Sequence, residues 1–285
     1  MKKITPADKK EPIAAEGPIS TREEEKQVEE RVAIGANVIY EAIRREGDDE
    51  LSRPAQALAW SALAAGLSVG FSFITEALLM AHLPDRPWRP LISRLGYSVG
   101  FLIVVLGRQQ LFTENTLTAI LPLLVRKNFG MFVKVARLWG VVLLGNIVGT
   151  YLFALGIAHS PIFDPSVRAA LMAIGQANIG ASFGTIFVRA IFAGWLIALM
   201  VWLLPAAETS HVAIIIILTY LIGLGGFSHV IEGSTTVFYL VAMKSASWST
   251  YFMGFFLPAL LGNILGGVSL VTALGHAQVV GGKAD

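Results

Sequence analysis

Two polar interruptions inside apolar stretches hold most of the side chains able to do chemistry. The first, Arg108-Gln-Gln-Leu-Phe-Thr-Glu-Asn-Thr116, gathers a cation, a carboxylate and hydroxyls. The second, Gly225-Gly-Phe-Ser-His-Val-Ile-Glu-Gly-Ser234, carries His229 and Glu232. An imidazole changes charge near physiological pH, so His229 can give and take protons, or it can be a structural histidine bonded to backbone carbonyls. Glu232 follows three residues later and shares a helical face with His229 if a helix resumes there. It then either tunes the imidazole or pairs with an arginine of a neighbouring segment. Arg108 and Glu114 bracket the first interruption. They either line an inner vestibule, with Arg108 gathering anions, or close the loop as a mutual salt bridge.

Composition narrows what this chemistry serves. The chain has 285 residues, 54% hydrophobic and 15% charged, with mean hydropathy +0.64. Soluble domains carry about 25% charged residues. Cysteine is absent, which excludes disulfides and thiol catalysis, and the five histidines (82, 159, 211, 229, 276) fall in no metal-binding spacing. No carboxylate pair, Ser-His-Asp set or nucleotide loop supports an enzyme, and neither cofactor nor metal is expected. The charge is divided: residues 1–53 hold 10 Lys/Arg and 13 Asp/Glu, whereas 54–282 hold 11 Lys/Arg and six Asp/Glu. A positively biased apolar body attracts anions or carries ordinary membrane-flanking cations. The acidic tail speaks against nucleic acid.

The elements that position these residues are membrane spans. A transmembrane helix needs about 20 mostly apolar residues. Six spans are expected: about 55–82, a broken one from Leu95 to Val125, 134–158, 184–204, a second broken one from Val212 to Met243, and 250–275. Ahead of them, 1–19 reads as a disordered cytoplasmic tail. Residues 20–47 read as an amphipathic helix, with Ser20-Thr-Arg-Glu23 as capping box and Gly47 as its end. The channel domain covers 55–275, residues 276–285 form a tail, and 159–183 has room for a short helix. Eight Lys/Arg against six near the span ends put both termini in the cytoplasm.

An internal repeat gives the topology. Leu143-Leu-Gly-Asn-Ile-Val-Gly149 recurs as Leu260-Leu-Gly-Asn-Ile-Leu-Gly266, so Asn146 and Asn263 stand 117 apart, and the same offset takes Phe112 to His229. Each half holds three spans with the broken one in the middle. Three is odd, so the second half is inverted in the bilayer, as in channels and transporters. Irregular backbone at membrane depth survives only where it is buried or lines a cavity. Two breaks meeting from opposite sides give one such cavity, whose free N–H groups and half-helix dipoles favour an anion.

At these residues the chain resembles the formate/nitrite transporter family, over about 55–275. The motifs are Leu111-Phe112-Thr113, Gly226-Phe227-Ser228-His229 and the paired Gly-Asn at 145–146 and 262–263. The resemblance implies an all-α, aquaporin-like protomer of six helices in two inverted repeats. It also implies a homopentamer in the inner membrane with one pore per protomer, carrying small monovalent anions of weak acids such as formate and nitrite. By position, His229 is the central pore histidine and Thr113 the threonine that hydrogen-bonds it or the substrate. Leu111 and Phe112 belong to the constricting loop, Asn146 and Asn263 line its neighbourhood, and Phe101 and Ile222 fall at apolar constrictions. Ser228 and Gly233 replace an acid and an asparagine of well-studied members. Asn178 stands near a missing lysine, and Gly194 replaces a polar residue. Proton exchange at His229 would let a weak acid cross the slit neutralised. The alternative is an aquaporin-like channel for neutral solutes, although the Asn-Pro-Ala signatures are absent.

Overall fold

A computed structural model describes residues 34–270. The expected tail at 1–19, the first half of the helix at 20–47, and the tail at 276–285 lie outside the described residues. Helix α1 (Ala36–Ser52) precedes α2 (Ala55–His82), the first long apolar helix. The second span is α3 (Arg89–Leu106), followed by a break at 107–111 and two short helices, α4 (Phe112–Thr118) and α5 (Ile120–Arg126). Then come α6 (Phe129–His159), α7 (Pro165–Ile179) and α8 (Phe183–Leu203). Helices α9 (His211–Gly225) and α10 (Val230–Ala242) form one span bent by 49°. A π-helical stretch, Thr250–Phe256, leads into α11 (Leu257–Leu270). Among the described residues this makes five long apolar helices plus the bent pair, six spans in all. The helix anticipated within 159–183 is α7.

Polarity is inverted relative to a soluble protein. Phe129, Trp60 and Leu144 are exposed, while Thr113, Asn146, Ser234 and Asn263 are wholly buried. Apolar side chains facing outward suit a hydrocarbon solvent, and the interior polar groups must then satisfy one another.

The twin motif works as a pair of helix seats. Gly145 and Gly149 on α6 press against α2, where added Cβ atoms would run into Ala62 and the Leu63 carbonyl. Gly262 and Gly266 on α11 press in the same way against Ala190 and the Ile191 carbonyl of α8. Small residues four apart let two backbones approach where no hydrophobic force drives helices together. The two halves thus repeat the same close pairs, α2 with α6 and α8 with α11.

Helix α1 departs from expectation at Gly47. The helix runs through this residue to Ser52. Glycine is needed there for close approach, because a Cβ would strike the Thr118 carbonyl and Pro122. Ile39, Tyr40, Ile43 and Leu51 are buried alongside it, whereas Ala42, expected on that face, is exposed. A lattice of ion pairs covers the outer side. Arg44 bridges Glu41 and Asp48 at 2.7 Å each, and Arg126 of α5 reaches Asp48 at 2.8 Å. Hydrogen bonds from Arg44, then Arg45, hold the Glu41 carboxyl down at about 2. A depressed carboxyl stabilises the fold above the ordinary carboxylate range and loses that contribution as pH falls through its folded value. The pairs of Glu41 with Arg44 and Arg45 should therefore not titrate at mildly acidic pH. A spin label on Ala42→Cys, in a chain with no other cysteine, should keep one line shape from about pH 8 to about pH 5 and gain mobility only below about pH 4. Undocking near about pH 6 would contradict the lattice as the docking force.

Candidate functional site

Each break is pinned by one buried asparagine. The Phe112 amide donates to Asn146 Oδ1 at 2.9 Å, and Asn146 Nδ2 donates to the carbonyls of Gln110 and Ala62, both at 2.8 Å. In the second half the Val230 amide donates to Asn263 Oδ1 at 2.8 Å. Asn263 Nδ2 donates to Ser228 O at 2.9 Å and Ala190 O at 2.8 Å. Both asparagines are wholly buried.

These bonds correct two expectations. First, the mates across the repeat are Phe112 with Val230 and Gln110 with Ser228, an offset of 118. The first half has one more residue between break and asparagine, so the partner of His229 is Leu111, and both stand as N-caps. Second, the leading amide of each half-helix is occupied by its asparagine. The breaks do not offer those groups to an anion.

His229 caps α10. Its Nδ1 accepts from the Glu232 amide at 3.1 Å, which in the neutral ring leaves the hydrogen on Nε2. Nε2 stands 2.8 Å from Thr113 Oγ1. The edge of one ring meets the face of the other between His229 and Phe101, with centroids 5.0 Å apart, and Tyr97 stacks behind Phe101 at 5.3 Å. The structure therefore brings His229, Thr113 and Phe101 together, with the imidazole 1% exposed. The carbonyl-bonded structural reading of His229 does not hold, since its partners are an amide and a hydroxyl. Phe112 packs edge-on against Trp139 of α6, and Leu111 and Ile222 are wholly buried.

Beyond this centre lies a vestibule of about 810 Å³, lined by Glu46, Glu50, Arg108, Gln109, Gln110 and Glu114 among others. Arg108 has a positive φ of 48° and pairs with Glu46 of α1 at 2.7 Å, so the Arg108–Glu114 bridge is not formed. Glu114 Oε1 is buried without a hydrogen-bond partner. Toward the other end Glu232 and Tyr97 are buried near each other, and the Tyr97 hydroxyl has no hydrogen-bond partner. Arg94, whose charge also acts on Glu232, is engaged with Glu76 at 2.6 Å. Sequence reasoning missed Tyr97 and the Glu76–Arg94 pair. The available signal was a glutamate near the end of one apolar span and an arginine opening the next, joined by a short loop at one end of the bundle.

Residues 37–277 match the pattern of the formate/nitrite transporter family. The chain belongs to that family. The inner membrane protein YfdC of Escherichia coli (strain K12) is 43% identical over 88% of this chain and 81% of that protein. A solved FNT family ion channel superposes with TM-score 0.70 over 85% of this chain and 97% of that one, at 20% identity. A pentameric formate channel with formate bound gives TM-score 0.65 over 76% and 94%, at 21% identity. The fold of this transporter is thus the aquaporin-like protomer of two inverted repeats. Two departures from the family pattern gain a physical reading. Asn178 donates to Thr236 Oγ1 at 2.7 Å and so belongs to the packing of α7 on α10. Gly194 seats the backbone of Asn263, where a Cβ would collide, as Gly66 seats that of Asn146.

Asn146→Ala and Asn263→Ala each strand buried backbone groups at about 1–3 kcal/mol per group. Both should lower the melting temperature of the detergent-solubilised transporter by similar amounts. A variant melting like the unaltered protein would show that the breaks are held otherwise.

Proposed function

We propose that this transporter carries small monovalent anions of weak acids, of the formate and nitrite kind, and that the anion takes up a proton at His229 on its way through. The observation that carries this reading is the 2.8 Å contact of His229 Nε2 with Thr113 Oγ1 beside the ring of Phe101. Thr113 accepts the imidazole N–H, so its own hydroxyl hydrogen is left to meet an anion. An anion entering an apolar slit loses hydration, and an unpaired buried charge is very costly. Transfer of one proton turns a weak-acid anion into a neutral molecule that crosses Leu111, Phe112, Phe101 and Ile222 without that cost. The imidazole is shut off from both ends in this conformation, so passage requires aromatic side chains, Phe101 first, to swing aside. Asn146 and Asn263 act by holding the breaks still.

The two solved channels share this fold, and one of them is titled as a pentamer with formate bound. This supports a homopentamer here, with lipid against the exposed apolar faces. The relative named as an inner membrane protein supports that location, and the count of flanking cations supports cytoplasmic termini. The matching family is named for formate/nitrite transporters, and the two solved relatives are titled channels.

The test is purified protein in liposomes with formate, nitrite, chloride and glycerol. Formate uptake should rise with acidity and fall by about tenfold or more in His229→Ala. Chloride, which cannot be neutralised by a proton, should pass poorly. An unchanged pH profile in His229→Ala would remove the proton step, and glycerol flux without formate flux would favour the neutral-solute reading.

A further inference from the structure

The ring that covers His229 stands on a helix turn held from both sides. Gly96 and Gly100 of α3 lie four residues apart and press on α2. A Cβ at Gly96 would come within 2.5 Å of the Glu76 amide nitrogen, and one at Gly100 within 2.6 Å of the Val69 carbonyl oxygen. Polar contacts lock this seat. Ser72 Oγ of α2 donates to the Tyr97 carbonyl and accepts from the Gly100 amide at 3.0 Å. One turn further along α2, Glu76 pairs with Arg94 at 2.6 Å. On the opposite flank Ser98 Oγ donates to the Ile216 carbonyl of α9 at 3.2 Å. Phe101 follows Gly100 directly, so it leaves the imidazole by turning about its own side-chain bonds and not by a shift of the helix.

What it turns against is Tyr97. Long side chains on a helix lean toward its N-terminus, so Phe101 lies over the residue four positions before it. The two rings are 27° from parallel with centroids 5.3 Å apart, and Phe101 meets the His229 ring at 84°. Tyr97 is 5% exposed and its hydroxyl has no hydrogen-bond partner, so packing and not a polar tether sets its place. Its neighbour on α9 is Gly223, where a Cβ would stand 2.9 Å from the Cβ and Cγ of Tyr97. We infer that Tyr97 is a positioning residue for passage: its ring is the backstop that keeps Phe101 over His229, and its bulk sets how large an acid gets through. The inference rests on the weak-acid reading for its substrate and adds the residue that limits substrate size.

The test uses full-length protein in liposomes and compares Tyr97→Phe and Tyr97→Leu with the unaltered chain. Uptake of labelled formate and propionate is followed in one mildly acidic buffer. Phenylalanine keeps the stacked ring, whereas leucine leaves room behind Phe101. Tyr97→Leu should raise the ratio of propionate to formate uptake by about threefold or more, as expected when one aromatic contact is lost. Tyr97→Phe should keep the unaltered ratio. The ratio does not depend on how much protein is folded, so a merely structural defect lowers both uptakes together and leaves it unchanged. In the same vesicles an osmotic step reads the barrier with no acid present, and Tyr97→Leu should speed water flow by about threefold. A leucine variant with the unaltered ratio would overturn the inference. So would a phenylalanine variant that shifts the ratio as leucine does, since the hydroxyl and not the stacked ring would then be the backstop. If the unaltered chain takes up neither acid, the weak-acid reading falls and the water arm alone decides, with unaltered flow in Tyr97→Leu overturning the role of Tyr97.

Discussion

Backbone that leaves its helix inside a bilayer has no water to bond, and this protein does so twice. The side-chain amides of Asn146 and Asn263 make that possible. Each accepts the first amide of a restarted half-helix, bonds the carbonyl two residues before it, and ties both to the facing long helix. Much of the rest follows from these bonds. The asparagines reach their targets because Gly66 and Gly194 let their backbones come close. The flanking glycines of the twin motif set the two helix pairs that form the frame. His229 then falls at the head of α10, where capping fixes one ring nitrogen and turns the other toward Thr113.

Ion pairs join the helices around that centre. The lattice of α1 ties this helix to α5. Toward the two ends of the bundle, arginines pair with glutamates of other helices, Arg108 with Glu46 and Arg94 with Glu76. The centre itself is apolar and aromatic around the His229 imidazole and the Thr113 hydroxyl. In the weak-acid reading proposed above, such a centre holds back a bare ion and passes one that a proton neutralises.

Much of this was legible in the residues. The spans follow from composition, the broken ones from polar runs inside apolar stretches, and the inverted halves from the repeated Leu-Leu-Gly-Asn motif. Other parts were hidden for definite reasons. The break at 107–111 is shorter than the polar run 108–116, because Phe112 to Thr118 form a helix whose polar side chains bond inward. Gly47 looked like a helix end, because a sequence does not show that another backbone lies against it. The one-residue difference between the repeats could not be seen from the motif alone, since it lies between motif and break. The partners of Arg94 and Arg108 come from other helices, so pairing was set by tertiary neighbours and not by spacing along the chain.

The central claim is that a proton accompanies each anion through the site at His229. Its most direct measure is the ratio of proton to formate movement in the same liposomes, followed by trapped dye and labelled substrate while the membrane potential is varied. This account predicts one proton per formate and a rate indifferent to the potential. Formate flux that follows the potential with no proton movement would contradict it.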